Sequence, residues 1–451
     1  MGACFGGAVL MRLLKQLWIV IGAVVAAFLV SWVLYMPDAN ERGVWRSQTG
    51  GQIITLSPLK AQLYSESSAS CVHQLTFPAH MKLVEMAEGA TVQVVGEALH
   101  LLADGTLEPI LFDRIAALPD TCGAFNPNAP ALDVFNAMWA AMDEHYAFFS
   151  LHNVDWDARR DFAPTGAPTL TNEDLFALLS ETLTGLDDGH VQLVSPFDGF
   201  SPAVRPSWLP EGDTQVRETL TQIARDTVGP ALTPVELTGV EFTLMPDGVA
   251  YVLIRHMGLN APFGTTEQAA MATAFADVAA EIETANAIII DIRYNPGGSD
   301  SVSFGVASHF TGQPVDVLTK TTRNGDGQTE PFTATLQPYD PTPLTQPVIL
   351  LTSELTGSAA EILTMAMREL PQVTTMGHPT SGGLSDILGF TLPNGWELGL
   401  SHQTYRTMDG GLYEGVGIPP DVAFEIETAP LLQGEDPLLR AAFQRARGQL
   451  N

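Results

Sequence analysis

Near the C-terminal end, Thr352 to Met367 reads TSELTGSAAEILTMAM. Its centre, Ser358-Ala-Ala-Glu361, has the S-x-x-E spacing of a helix capping box. A serine at the start of a helix is also where a nucleophile can sit. Three more stretches carry residue types that acyl transfer needs. LDDGHVQLV places His190 at a helix-to-strand turn. IIIDIRYNPGGSDS ends a buried strand in Asp291 and Arg293 and turns through Gly297 and Gly298, where backbone N–H groups are free to meet an anion. GGLYEGVGIPPDV sets Glu414 in a glycine-rich loop. Each alone has an ordinary structural explanation: a cap, a surface histidine, a glycine turn, a solvated acid.

Taken together they supply the parts of an acyl-transfer site. A serine hydroxyl is a weak nucleophile and requires a base. An imidazole can accept its proton and return it to a leaving amine. A carboxylate holds the imidazole tautomer, and a tetrahedral oxyanion needs fixed donors. The cap and nucleophile readings compete for one oxygen. As a cap, Ser358 Oγ points at the backbone N–H near Glu361; as a nucleophile it points at His190, with Thr356 or Gly357 relieving it of the cap.

Certain chemistries are disfavoured. The chain has 451 residues with 21 Lys plus Arg against 51 Asp plus Glu, a net charge of −30, so nucleic acid is not an expected partner. The histidines show no H-E-x-x-H and there is no C-x-x-C, so neither a metal nor a cofactor is expected. No G-x-G-x-x-G stands in the glycine turn.

The elements that position these residues are legible as patterns. Leu17 to Met36 is uncharged and apolar and long enough to span a bilayer. Arg12 and Lys15 precede it, and Asp38 and Glu41 follow. Residues 1–39 are therefore expected to form a transmembrane signal anchor, with the remainder extracytoplasmic, periplasmic or extracellular. In that setting Cys71 and Cys122 could pair; two separate thiols is the alternative. Residues 43–124 read as a small β domain of short strands (GQIITL, KAQLYS, ATVQVV, ALHLLA), with LADGTL as a tight hairpin. Residues 131–195 read as a helical cap. Leu132, Phe135, Met138, Trp139, Met142 and Tyr146 recur at helical spacing, and a second helix runs from Asn172 to about Leu186. Residues 196–238 are an extended connection with one short helix near Val216 to Arg225. From 239 to 428, GVEFTLM, GVAYVLI, AIIIDIR, PVDVLTK and PVILLTS alternate with helices at 267–284, 301–310 and 358–370. That alternation predicts a largely parallel sheet covered by helices, an α/β core. Residues 429–451 are read as a C-terminal tail.

LDDGHVQL, DIRYNPGG, TGSAAEI, GHPTSGG and YEGVGIPPDV, in that order over Leu132 to Phe424, resemble the tail-specific or C-terminal processing serine peptidases. The resemblance implies a core related to the crotonase and Clp-protease folds with a helical cap, here preceded by the small β domain and the anchor. It implies Ser358 as nucleophile, with the oxyanion hole made by the amide of Ala359 and one of Gly297 or Gly298. In the bacterial branch a lysine base follows the nucleophile. Here Gly383 stands in its place and no lysine follows Lys320. The chain instead resembles the tricorn-like branch, which implies His190 as base and Glu414 as its support. The relay serine of that branch is replaced by Gly189, so Asp187 or Asp188 could orient the imidazole instead. Residues 196–238 are too few for a PDZ domain, so capture of a substrate terminus by strand addition is not expected. The expectation is a serine endopeptidase acting through an acyl-enzyme. The alternatives are an esterase or amidase, or a non-proteolytic carrier of hydrophobic ligands on the same fold.

Overall fold

The structure is a computed structural model that describes residues 36–78, 90–164, 170–202, 206, 215–229, 231–426 and 428–448. The first described segment builds one sheet from β1 (Gly43–Ser47), β2 (Gly51–Leu56), β3 (Lys60–Glu66), β4 (Cys71–Pro78), β5 (Thr91–Val95), β6 (Ala98–Leu102), β7 (Ile110–Ile115) and β8 (Cys122–Gly123). Their order is β5-β6-β7-β1-β2-β3-β4-β8. Trp45, Leu56, Ala61, Leu99 and Phe112 form its core. Cys71 and Cys122 face each other on β4 and β8 and are disulfide-bonded across a separation of 51 residues. A loop of that length stabilises the fold by about 4 kcal/mol through chain entropy. LADGTL is not a two-residue hairpin. β6 and β7 remain paired at Leu101–Ile110, and residues 103–109 project beyond the ladder. Gly105 supplies the positive φ of +94° that their turn requires.

The cap consists of α1 (Ala131–His145), a 3₁₀ turn (Asp157–Phe162) and α2 (Asn172–Leu183). The predicted stripe on α1 is core except for Leu132, which is exposed on the first turn. Thr171 caps α2 by accepting from Asp174 N–H at 3.1 Å. α2 stops at Leu183, three residues short of the expected end. β9 (Gln192–Val194) and β10 (Gly199–Phe200) follow, and α3 (Val216–Val228) lies in the connection.

Next come β11 (Thr233–Pro234), β12 (Thr238–Leu244), β13 (Val249–Leu259), α4 (Glu267–Ile282), β14 (Ala287–Asp291) and α5 (Asp300–Ala307). β15 (Val315–Asn324), β16 (Gly327–Gln328), β17 (Phe332–Leu336), β18 (Val348–Thr352) and α6 (Ala359–Arg368) continue the chain. It ends in β19 (Val373–Gly377), β20 (Ile387–Thr391), β21 (Glu397–Ser401), β22 (Gln403–Thr407), β23 (Val422–Ala423), α7 (Thr428–Leu432) and α8 (Pro437–Ala446). The main sheet has the order β11-β12-β13-β14-β18-β19-β23 and is parallel from β13 onward.

β14 and β18 are buried on both faces. Ile288 and Ile290 join the cluster that includes Met271, Val302 and Ile362, from α4, α5 and α6; Ile289 joins Leu220 of α3 and Leu439 of α8. This is the period-2 logic of a strand packed on both sides. PVDVLTK does not enter this sheet. β15 pairs antiparallel with β16, β17 and β22 in a separate sheet. β9, which follows His190, pairs with β21, so cap and core share a fourth sheet.

The expected fold class is corrected in one respect. Among the described residues no helix is long and apolar enough to cross a membrane. The anchor at Leu17–Met36 lies outside the described residues except for Met36, so the transmembrane element has no counterpart in the described structure.

Candidate active site

Ser358 sits where β18 turns into α6, with φ +52° and ψ −129°. A non-glycine residue held in this region carries strain of roughly 1–3 kcal/mol and needs a surrounding structure that enforces it. The enforcement is visible. Thr356 Oγ1 donates to Ile292 O at 2.9 Å, Gly357 N–H to Asn295 O at 3.1 Å, and Ser358 N–H to Gly383 O at 3.0 Å. Ser358 N–H also donates to Glu361 Oε2 at 3.0 Å, one half of the reciprocal cap. Glu361 N–H donates to Ser358 O at 2.7 Å; Ser358 Oγ keeps the capping-box position facing that N–H but makes no cap hydrogen bond to it. Neither Thr356 nor Gly357 takes over the capping role; the glutamate does.

Glu361 does more than cap. Fully buried, it accepts from Thr380 Oγ1 at 2.6 Å, Gly382 N–H at 2.8 Å and Gly383 N–H at 2.9 Å. It thus fastens the 380–383 loop to α6. Burial pushes its carboxyl up to about 7, against the pull of these donors.

Gly297 and Gly298 follow β14 with φ of +107° and +141°. A Cβ on Gly297 would lie 2.5 Å from Ser358 Cβ and 2.8 Å from Gly357 O, so only glycine permits this approach. A Cβ on Gly298 would collide with Met257 O. Gly297 N–H is already bonded to Asn295 Oδ1 at 2.8 Å. Among the described residues, the N–H groups of Gly298 and Ala359 have no acceptor. The pair available to an oxyanion is therefore Gly298 with Ala359, and Gly297 serves by allowing the approach.

His190 lies beside the same loop: a Cβ on Gly383 would be 3.9 Å from its Cε1. The ring thus stands next to the residue whose carbonyl holds Ser358 N–H. His190 Nδ1 is buried and has no hydrogen-bond partner among the described residues. Asp188, buried, does not bond the ring. Its Oδ1 accepts from His190 N–H at 2.8 Å and its Oδ2 from Tyr146 OH at 3.1 Å. Asp187 is exposed, with φ +50°. Glu414 is buried, and its Oε2 accepts from Leu384 N–H at 3.0 Å and Ser385 N–H at 3.1 Å. Burial, then the charges of Asp188 and Glu361, hold its carboxyl well above the usual range.

Sequence reasoning missed Asn295, Glu361 as a loop clamp, and His152. His152 faces the Tyr146 ring at 6.5 Å, and its Cε1 is 3.5 Å from where a Cβ on Gly415 would be. Burial lowers its pKa, partly offset by Asp188 and Asp187. Nothing in the spacing of SLHNVD marks it. Asn295 was within reach, because it stands inside the YNPGG turn.

Residues 248–424 match Peptidase family S41, and residues 127–184 match the Tricorn protease C1 domain. The chain is 25% identical over 278 residues to a carboxy-terminal-processing protease of Bartonella bacilliformis, covering 56% of this chain and 63% of the relative. It is 30% identical over 172 residues to a carboxyl-terminal-processing protease of a Synechocystis species, covering 37% and 38%. These matches span less than two thirds of each curated relative. The solved structure of a candidate peptidase from Parabacteroides merdae superposes with a TM-score of 0.59 at 27% identity, over 71% of this chain and 97% of that one. Mature CPAF, at 12% identity and a TM-score of 0.51 over 72% and 99%, shares the fold. The chain therefore carries an S41 peptidase domain with a tricorn-type C1 segment ahead of it.

Proposed function

We propose that the protein is a serine peptidase in which Ser358 is the nucleophile, His190 the base and Glu414 the supporting carboxylate. The observation that carries this reading is the pair of unclaimed amides, Gly298 and Ala359, on either side of a strained serine whose hydroxyl is not used as a cap. Ser358 Oγ attacks a peptide carbonyl while His190 takes its proton. The oxygen of the tetrahedral intermediate settles between the two amides. Collapse returns the proton to the leaving amine and leaves an acyl-serine, which a water activated by His190 then hydrolyses. Glu414 stabilises the imidazolium while it lasts, and Asp188 fixes the backbone that carries the ring. The names of the relatives favour protein substrates. The Cys71–Cys122 disulfide supports an oxidising, extracytoplasmic setting.

The test is covalent labelling of the full chain with a fluorophosphonate. Wild type is expected to gain one adduct, mapped to Ser358 by peptide mass spectrometry. Ser358→Ala is expected to gain none, and His190→Ala to label at least about 100-fold more slowly. An adduct elsewhere, or equal labelling of Ser358→Ala, overturns the assignment.

A further inference from the structure

The loop at residues 103–109 leaves the β domain and ends on the catalytic core. Both carboxylate oxygens of Asp104 accept from Glu267 N–H, at 3.0 and 2.9 Å, at the first turn of α4. Gly105 O accepts from Ser301 N–H at 3.3 Å, and Gly105 has no side chain where a Cβ would meet Ser299 Oγ at 3.3 Å. Leu107 packs against the main core. Glu108 reaches Lys320 Nζ at 3.8 Å.

These contacts fall on the two segments that build the site. Ser299 directly follows Gly298, whose amide has no acceptor among the described residues, and Ser301 lies in the first turn of α5. Lys320 is 1% exposed, with Nζ 3.2 Å from Asp386 Oδ2, 3.2 Å from Gln403 Oε1 and 3.4 Å from Tyr405 OH. Tyr405 OH in turn donates to Asp300 Oδ2 at 2.9 Å, at the start of α5 two residues beyond Gly298. Asp386 follows Leu384 and Ser385, whose amides hold Glu414. One buried cation thus joins the β domain, the start of α5 and the Glu414 loop. A buried ammonium whose neighbours are two carboxylates and two neutral oxygens has little freedom to move without losing partners.

We propose that the 103–109 loop of the β domain is a positioning element for catalysis. It sets the Gly298 amide through Asp104, Gly105 and Ser301, and the Glu414 loop through Glu108 and Lys320. The inference rests on the serine-peptidase reading of the site. It assigns the β domain a part in the chemistry without contact to substrate, so none of these residues is catalytic.

The test uses full-length Asp104→Ala, Asp104→Asn and Glu108→Gln. The Asn variant keeps one acceptor oxygen for Glu267 N–H. Displacing one donor by a fraction of an ångström is expected to lower kcat and the fluorophosphonate labelling rate about tenfold in Asp104→Ala and Glu108→Gln, with KM within twofold of wild type. Asp104→Asn is expected to recover most of the loss. Amide exchange in peptides covering 296–302 is expected to accelerate about tenfold in Asp104→Ala. Unchanged kcat and exchange in both loop variants overturns the proposal, as does a uniform loss of Tm and activity that Asp104→Asn does not repair. If wild type fails to label at Ser358, the peptidase reading falls. The positioning claim is then decided by exchange over 296–302 alone.

Discussion

Two buried polar clusters begin within a few residues of each other at the end of β14, and they differ in what they leave unused. In the first, Arg293 is 2% exposed, and its guanidinium bonds both oxygens of Asp291, at 2.9 and 2.6 Å, and both of Asp436, at 2.8 Å each. Tyr251 OH adds a donor to Asp291 at 2.9 Å. One guanidinium engages each of two carboxylates through two hydrogen bonds, and the cluster ties the start of α8 to the central sheet. In the second, around Ser358, two amides and one imidazole nitrogen have no partner among the described residues, and two buried carboxyls are pushed up by desolvation. The first cluster is saturated and fixes the fold. The second is held by Thr356, Asn295 and Glu361, but it keeps groups that the fold itself does not use.

The comparison breaks most sharply on paired substitutions. Ser358→Ala is expected to lower kcat/KM by about 10⁴-fold or more, with a urea midpoint close to that of wild type because alanine keeps the Cβ and the same backbone strain. Arg293→Ala should do the reverse: a loss of about 3–5 kcal/mol of stability, since Asp291 and Asp436 remain buried without their cation. If Arg293→Ala unfolds in urea like wild type, the saturated cluster is not structural. Gly297→Ala drives a methyl group into Ser358 and should reduce the labelling rate about 100-fold, with far-ultraviolet circular dichroism unchanged. Wild-type labelling of that variant would contradict the close approach of the two loops.

A smaller effect separates a third region. His145 is 4% exposed at the junction of cap, β domain and core, and burial lowers its pKa to about 4. The unfolded state protonates it near 6.5, so between pH 6.5 and 4 the unfolded chain binds more protons and stability falls as pH falls. The full effect is at most about 3 kcal/mol. Glu361, raised to about 7, acts in the opposite sense between its unfolded value of 4.5 and 7, so the His145 contribution must be read by difference. His145→Gln is expected to lose less Tm than wild type between pH 6.5 and 4.5; parallel pH curves for the two proteins would remove His145 from the acid response.

Much of the core was legible because its signals are local. β14 and β18 are continuous apolar runs, Thr171 announces α2, and the glycines at 297 and 298 mark a turn that no side chain can occupy. The strand in PVDVLTK was also legible, but its sheet was not, because an antiparallel partner arriving from Gln403–Thr407 leaves no trace at position 315. The hairpin at LADGTL misled for a related reason. Asp-Gly fixes a turn but not the length of the loop around it, and Asp104 and Glu108 have their partners on the core. Leu132 kept helical spacing while lying on an open first turn. The apolar run at Leu17–Met36 gave a membrane expectation that no described helix carries.

The amino-acid sequence by itself determined which residue types were available for acyl chemistry: Ser358, His190, Glu414, the paired glycines, and no lysine beyond Lys320. It determined the α/β character of the core, since period and composition are properties of a short stretch of chain. Only the tertiary structure decided that Glu361 holds Ser358 N–H while Oγ makes no cap hydrogen bond. It likewise decided that Gly298 rather than Gly297 keeps a free amide, and that Asp188 grips the backbone of His190 and not its ring. Those outcomes depend on which of several competing acceptors lies within about 3 Å of a donor. The acceptor chosen lies two or three residues along the chain in each case, but the loop shape that presents it is enforced by contacts between segments distant in sequence, such as Thr356 with Ile292.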